Sequence, residues 1–120
     1  MRAIGARALT IRQPWASLII EGHKDIENRS RPTRHRGLLV IHAGLATEED
    51  ALHQYRRLLQ RPDDLPHGAI LGTVEVVDCI EGARSRWAEP GNWHWVLADP
   101  RPFRKPIPVK GALSLWRVKG

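Results

Sequence analysis

Apolar residues recur along this chain with two different periods. Trp15, Leu18 and Ile19 fall at i, i+3 and i+4, which predicts a short amphipathic helix over residues 15–21. Pro14 suits its first turn, where a missing N–H costs nothing, and Gly22 is placed to end it. Residues 8–11 and 25–29 read as strands on either side. Residues 37–43 (GLLVIHA) form a continuous apolar run bounded by glycine, the pattern of a buried strand. Thr47 followed by Glu48, Glu49 and Asp50 predicts a second helix, with a hydroxyl cap and acids at the positive end of the dipole. Ala51, Leu52, Tyr55, Leu58 and Leu59 give that helix one apolar face. Arg56, Arg57 and Arg61 lie at its C-terminal end, where the dipole accounts for them.

The second half is strand-like. Residues 61–68 (RPDDLPHG) are a turn-rich connection. Residues 69–80 (AILGTVEVVDCI) read as one long strand, bent at Gly72. Residues 81–92 are polar and irregular, and 93–98 are an aromatic-rich strand. Pro100, Pro102, Pro106 and Pro108 make 99–108 extended, and 113–118 (LSLWRV) is a closing strand. Residues 1–6 read as a loose lead-in. About six strands and two flanking helices predict an α+β, mainly β domain. Closure into a small β-barrel would remove its exposed edges. No repeat or linker divides it, so residues 1–120 are expected to be one domain with a core over 8–118.

Charge adds a partner class to this picture. Nineteen Lys and Arg face thirteen Asp and Glu, for a formal net charge of +6. An arginine-dominated excess favours an anionic partner, nucleic acid first, because guanidinium forks match phosphate oxygens. No apolar run approaches the ~20 residues needed to cross a bilayer, so no membrane association is expected. There is no apolar leader core at the N-terminus, and Cys79 is the single cysteine. Both point to a reducing, cytoplasmic setting.

Candidate chemistry concentrates in residues 22–29 (GHKDIENR), directly behind the first helix. The chain resembles the ASCH domain family, a branch of the PUA-like superfamily of small β-barrels, through an ordered set of segments. These are IRQPWA at 11–16, G-x-K-x-I-E-x-R at 22–29, GLLVIHA at 37–43, ILGTVEVVDC at 70–79, W-x-WVL at 93–97 and GAL-x-LW at 111–116. The resemblance spans nearly the whole chain, and the G-x-K-x-I-E-x-R segment is the most specific part. It implies a barrel whose cleft, lined by the segment after the first helix, takes RNA or a nucleoside or nucleotide. Some members resembling it are amidohydrolases that deacetylate N4-acetylcytidine, and others are described as nucleases or nucleic-acid binders. The fold therefore leaves the reaction open.

In the deacetylating relatives a lysine at the position of Lys24 works with a threonine three residues later and a glutamate from elsewhere. Here the lysine matches, but Glu27 occupies the threonine position, so no hydroxyl nucleophile is present. Glu27 can instead serve as general base on a water, with Lys24 stabilising the oxyanion. Regular strand geometry opposes this, since residues three apart point to opposite faces, and a turn after Gly22 is needed. The alternative is a structural ion pair between Glu27 and Arg29. Glu75 is another acid, on the face of its strand opposite the buried valines.

Arg12, Gln13, Lys24, Arg29, Arg31, Arg34 and Arg36 are the candidate binding residues, and Trp93 is the candidate base-stacking platform. Trp15, Trp95 and Trp116 fall on apolar patterns and read as core. The six histidines show no dense metal-ligand spacing, so neither a metal nor a cofactor is expected. The leading expectation is a binding module for RNA or a nucleotide. An amidohydrolase of acylated cytidine is the alternative, and a small ribonuclease a weaker one.

Overall fold

The structure is a computed structural model and describes residues 3–120. Six strands form one sheet in the order β2-β5-β4-β3-β1-β6. They are β1 (Arg7–Gln13), β2 (Ile26–Arg29), β3 (Gly37–Thr47), β4 (Ala69–Ile80), β5 (Trp93–Pro108) and β6 (Leu115–Arg117). β1 and β3 run parallel, and every other pairing is antiparallel. Helix α1 (Trp15–Ile20) joins β1 to β2, and α2 (Glu49–Tyr55) with a 3-10 turn over Arg56–Leu58 joins β3 to β4. This is the mainly β, α+β architecture expected. The ladder stays open, because β2 and β6 end the order and do not pair with each other. β2 nevertheless comes within side-chain reach of β1, the neighbour of end strand β6, since Arg29 donates to the Thr10 carbonyl of β1 at 3.2 Å.

Helix α1 is buried on two sides. Ala16, Ile19 and Ile20 pack with Leu9, Ile11, Leu39, Ile41, Val74 and Leu97 inside the curve of the sheet. Leu18 packs the other way, with Ile26, Leu59 and Trp87. Leu18 and Ile19 are essentially inaccessible, and burying each stabilises the fold by about 1.5–3 kcal/mol. No helix of the described residues is long and apolar enough to cross a membrane.

Several elements differ from the sequence expectation, each for a local reason. Residues 3–6 are not loose: Ala3 is buried with Val118, and the Gly5 amide donates to the Val118 carbonyl at 2.7 Å. Residues 1 and 2 lie outside the described part. Thr47 does not cap α2. Its hydroxyl meets His67 at 2.6 Å, and Glu48 takes the N-cap position without a side-chain cap bond. The extended segment 99–108 is the second half of one sixteen-residue strand, β5. Its prolines are tolerated because β2 pairs only with Trp93–Val96; beyond that, β5 pairs on one side only, with β4. Arg56 and Arg61 pair with Asp63 and Asp64 of the following connection; Arg61 lies beyond the helical segments, which end at Tyr55 and Leu58, so ion pairing rather than a helix dipole accounts for it.

Candidate functional site

The turn after α1 sets up the site. The Leu18 carbonyl accepts both the His23 amide at 2.9 Å and the Lys24 amide at 3.0 Å. Gly22, at φ +88°, supplies the left-handed residue this reversal needs. Lys24 therefore sits in a bend before β2 begins at Ile26. That position removes the objection from strand alternation. Lys24 and Glu27 line one cleft, with side chains only 5% and 9% exposed.

Lys24 Nζ donates to the Ile26 carbonyl and lies 3.4 Å from Glu27 Oε1. Arg29 Nε donates to Glu27 Oε2 at 2.9 Å. One carboxylate thus joins two cations on the cleft floor, so the structural ion pair expected between Glu27 and Arg29 is present and includes Lys24. The facing wall comes from β1, α1 and the start of α2. Trp15 Nε1 donates to Glu48 Oε2 at 2.8 Å, and Arg12 reaches Glu48 Oε1 at 3.4 Å. Lys24 Nζ lies 5.6 Å from the Trp15 ring centroid. Behind Trp15 stand Tyr55, at 5.7 Å between centroids, and then Trp87, 4.9 Å from Tyr55. This backing holds the Trp15 indole against the cleft.

The third wall is a loop. Asn28 Nδ2 donates to the Trp87 carbonyl, and Asn28 Oδ1 accepts the Glu89 amide, both at 2.9 Å. His94 secures the same loop: its Nδ1 accepts the Ala83 amide at 3.0 Å, so Nε2 carries the proton and donates to the Glu89 carbonyl at 2.8 Å. These bonds bring Glu89 to the cleft. The cleft volume is about 360 Å³, within the usual range for a small-molecule site. It opens between residues 10–12 of β1 and 27–29 of β2, where the sheet fails to close.

Of the residues singled out in the sequence, Arg12, Lys24, Glu27 and Arg29 meet in this cleft. Gln13 does not, and its placement corrects the sequence reading. It is fully buried, donates from Nε2 to Ser17 Oγ at 2.8 Å and to the Pro66 carbonyl at 2.9 Å, and accepts the Ser17 amide at 3.0 Å. It satisfies a free amide in the first turn of α1. Gln13→Ala is expected to lower stability by about 1–3 kcal/mol through the unpartnered Pro66 carbonyl and Ser17 amide. Urea unfolding measures this, and a loss below about 0.5 kcal/mol would mean that water replaces the amide.

Arg31, Arg34 and Arg36 lie outside the cleft, because the chain leaves it at Ser30. Arg36 is engaged with the Thr33 and His35 carbonyls and with Asp78. Trp93 is half-buried against the main core and does not line the cleft; the tryptophan at the cleft is Trp15. Glu75 is half-buried outside it as well. Among the described residues no group of three or more His, Cys, Asp or Glu side chains converges as a metal site. Sequence reasoning missed Trp15 as a wall, along with Asn28, Glu48 and Glu89. Glu48 looked like part of a helix start, and Glu89 sits in an irregular segment with no periodicity to orient it.

The ASCH domain matches residues 9–107. The human protein Activating signal cointegrator 1 is 31% identical over 130 aligned residues, which covers 95% of this chain and 22% of the human protein. Its mouse counterpart matches to the same extent. The chain thus spans about a fifth of the length of these relatives.

Proposed function

The chain belongs to the ASCH domain family, and from that footing we propose that its cleft binds the nucleoside part of an RNA or nucleotide. The observation that carries this reading is a charge-balanced cleft of nucleoside size with an indole on its wall. Arg12, Lys24 and Arg29 line it together with Glu27, Glu48 and Glu89. A cleft with no net charge suits an uncharged base and ribose, which need donors and acceptors together. Lys24 has a third N–H beyond its bonds to Ile26 and Glu27, free to donate to a base carbonyl. Glu89 offers a carboxylate to an exocyclic amino group, the pairing used for cytosine N4. Trp15 supplies an aromatic surface for the base.

Calorimetric titration with cytidine 5′-monophosphate tests the proposal. Lys24→Met is expected to weaken binding about 10- to 100-fold, the worth of a charge-assisted hydrogen bond. Arg34→Ala, away from the cleft, is expected to stay within about twofold. Absence of binding, or equal affinity in Lys24→Met, would sink the reading.

One observation favours a second, hydrolytic reading: Lys24 and Glu27 share the cleft, as water activation beside an oxyanion donor requires. Against it, both Glu27 oxygens are committed to cations. Acetate release from N4-acetylcytidine, lost in Lys24→Ala, would support it, and no release would remove it.

A further inference from the structure

A second groove adjoins the cleft at the open seam of the sheet. Its volume is about 450 Å³, and Arg29 and Ser30 line both spaces. It lies between the segment after β2 and the β1–β6 edge. Leu9, Trp95 and Leu115 contribute apolar lining, and Arg7, Arg29 and Arg31 are its charged residues. No carboxylate lines it, whereas the cleft balances three cations with three acids. Among the described residues neither Arg7 nor Arg31 has a carboxylate within ion-pair distance.

The loop that carries Arg31 is held in place. Trp95 Nε1 donates to the Arg31 carbonyl at 3.1 Å. The His35 amide donates to Thr33 Oγ1 at 3.0 Å, and Arg36 ties back to the Thr33 and His35 carbonyls. Arg36 is thereby spent on the loop, while Arg31 stays exposed at the groove.

We infer that this groove is a phosphate track, which receives the sugar-phosphate backbone of a single-stranded nucleic acid whose neighbouring nucleoside occupies the cleft. The inference rests on the proposed cleft function and narrows its ligand from a free nucleoside to an oligonucleotide. The two spaces share a boundary at Arg29 and Ser30, so a chain that passes this boundary reaches both base site and backbone site. Arg7 and Arg31, which have no acid partner among the described residues, suit a polyanion, and guanidinium groups suit phosphate oxygens in particular. A peptide added to the free edge of β2 or β6 is the competing occupant. An acid-free arginine lining gives no reason to prefer one.

The test compares cytidine 5′-monophosphate with oligocytidylate of four nucleotides on the full chain. The tetranucleotide is expected to bind about tenfold tighter than the mononucleotide, and its logarithmic salt slope to be steeper by about 1.4 for two added phosphate contacts. Arg7→Ala combined with Arg31→Ala is expected to erase both differences and leave mononucleotide affinity within about twofold. Arg31→Glu alone, which leaves Arg7 intact, is expected to remove most of the gain. Equal affinity for the two ligands, a length dependence that survives in the double variant, or equal competition by hexaglutamate would each overturn the track while the cleft reading stands. Failure of both ligands to bind overturns the cleft reading and the track with it.

Discussion

Glu27→Ala is expected to destabilise the protein by about 3–5 kcal/mol, the usual cost of leaving a buried charge without its partner. The Lys24 side chain is 5% exposed, and its ammonium would keep only the Ile26 carbonyl as a hydrogen-bonded acceptor. Arg29 would lose its 2.9 Å bond and with it one of the two contacts that hold it across the seam. Replacing both partners, as in Lys24→Met with Glu27→Leu, is expected to recover much of the loss, since apolar pairs of similar volume often match a buried ion pair. Urea unfolding of the two single variants and the double variant measures this directly, with the midpoint interpreted at constant slope. If Glu27→Ala costs less than about 1 kcal/mol, water solvates Lys24 through the cleft and the pair is not a buried one. The same two bonds that the variants disturb hold the Lys24 ammonium at the cleft floor.

Gly72→Ala is expected to cost about 2–4 kcal/mol, from a collision with backbone that cannot rotate away. A Cβ at Gly72 would stand 2.3 Å from the Arg101 carbonyl oxygen and 2.8 Å from Pro102 Cα. β4 and β5 would have to separate there, next to register shifts that already bend both strands. The site lies away from the cleft, so the folded fraction is expected to keep its nucleotide affinity. Unfolding curves and calorimetry on the same sample separate the two effects. A variant with unchanged stability would mean that the bulged β5 segment yields at little cost.

Both predictions concern how an open sheet carries a site. A closed barrel would pair β2 with β6 and leave no gap. Here Arg29 of β2 reaches across to β1 by its side chain, and the cleft and its adjoining groove lie along that gap. Charge divides the two spaces, balanced in the cleft and positive in the groove.

Most elements and the most informative segment were legible in the linear pattern. Apolar periodicity placed α1, β3 and β4, because a residue's burial there depends on neighbours a few positions away. The motif from Gly22 to Arg29 pointed to Lys24 and Glu27 together. Tertiary structure alone decided what surrounds them. Gln13 sits one residue from Arg12, yet it faces the core while Arg12 faces the cleft, and only the turn into α1 settles that. Trp15 reads as core by spacing and is half core, half wall, since the open seam uncovers one of its faces. Glu48 and Glu89 arrive from segments 21 and 62 residues beyond Glu27 in the chain, drawn in by Trp15 and Asn28. No local pattern encodes such meetings, because they depend on how the sheet curls and where its ladder stops.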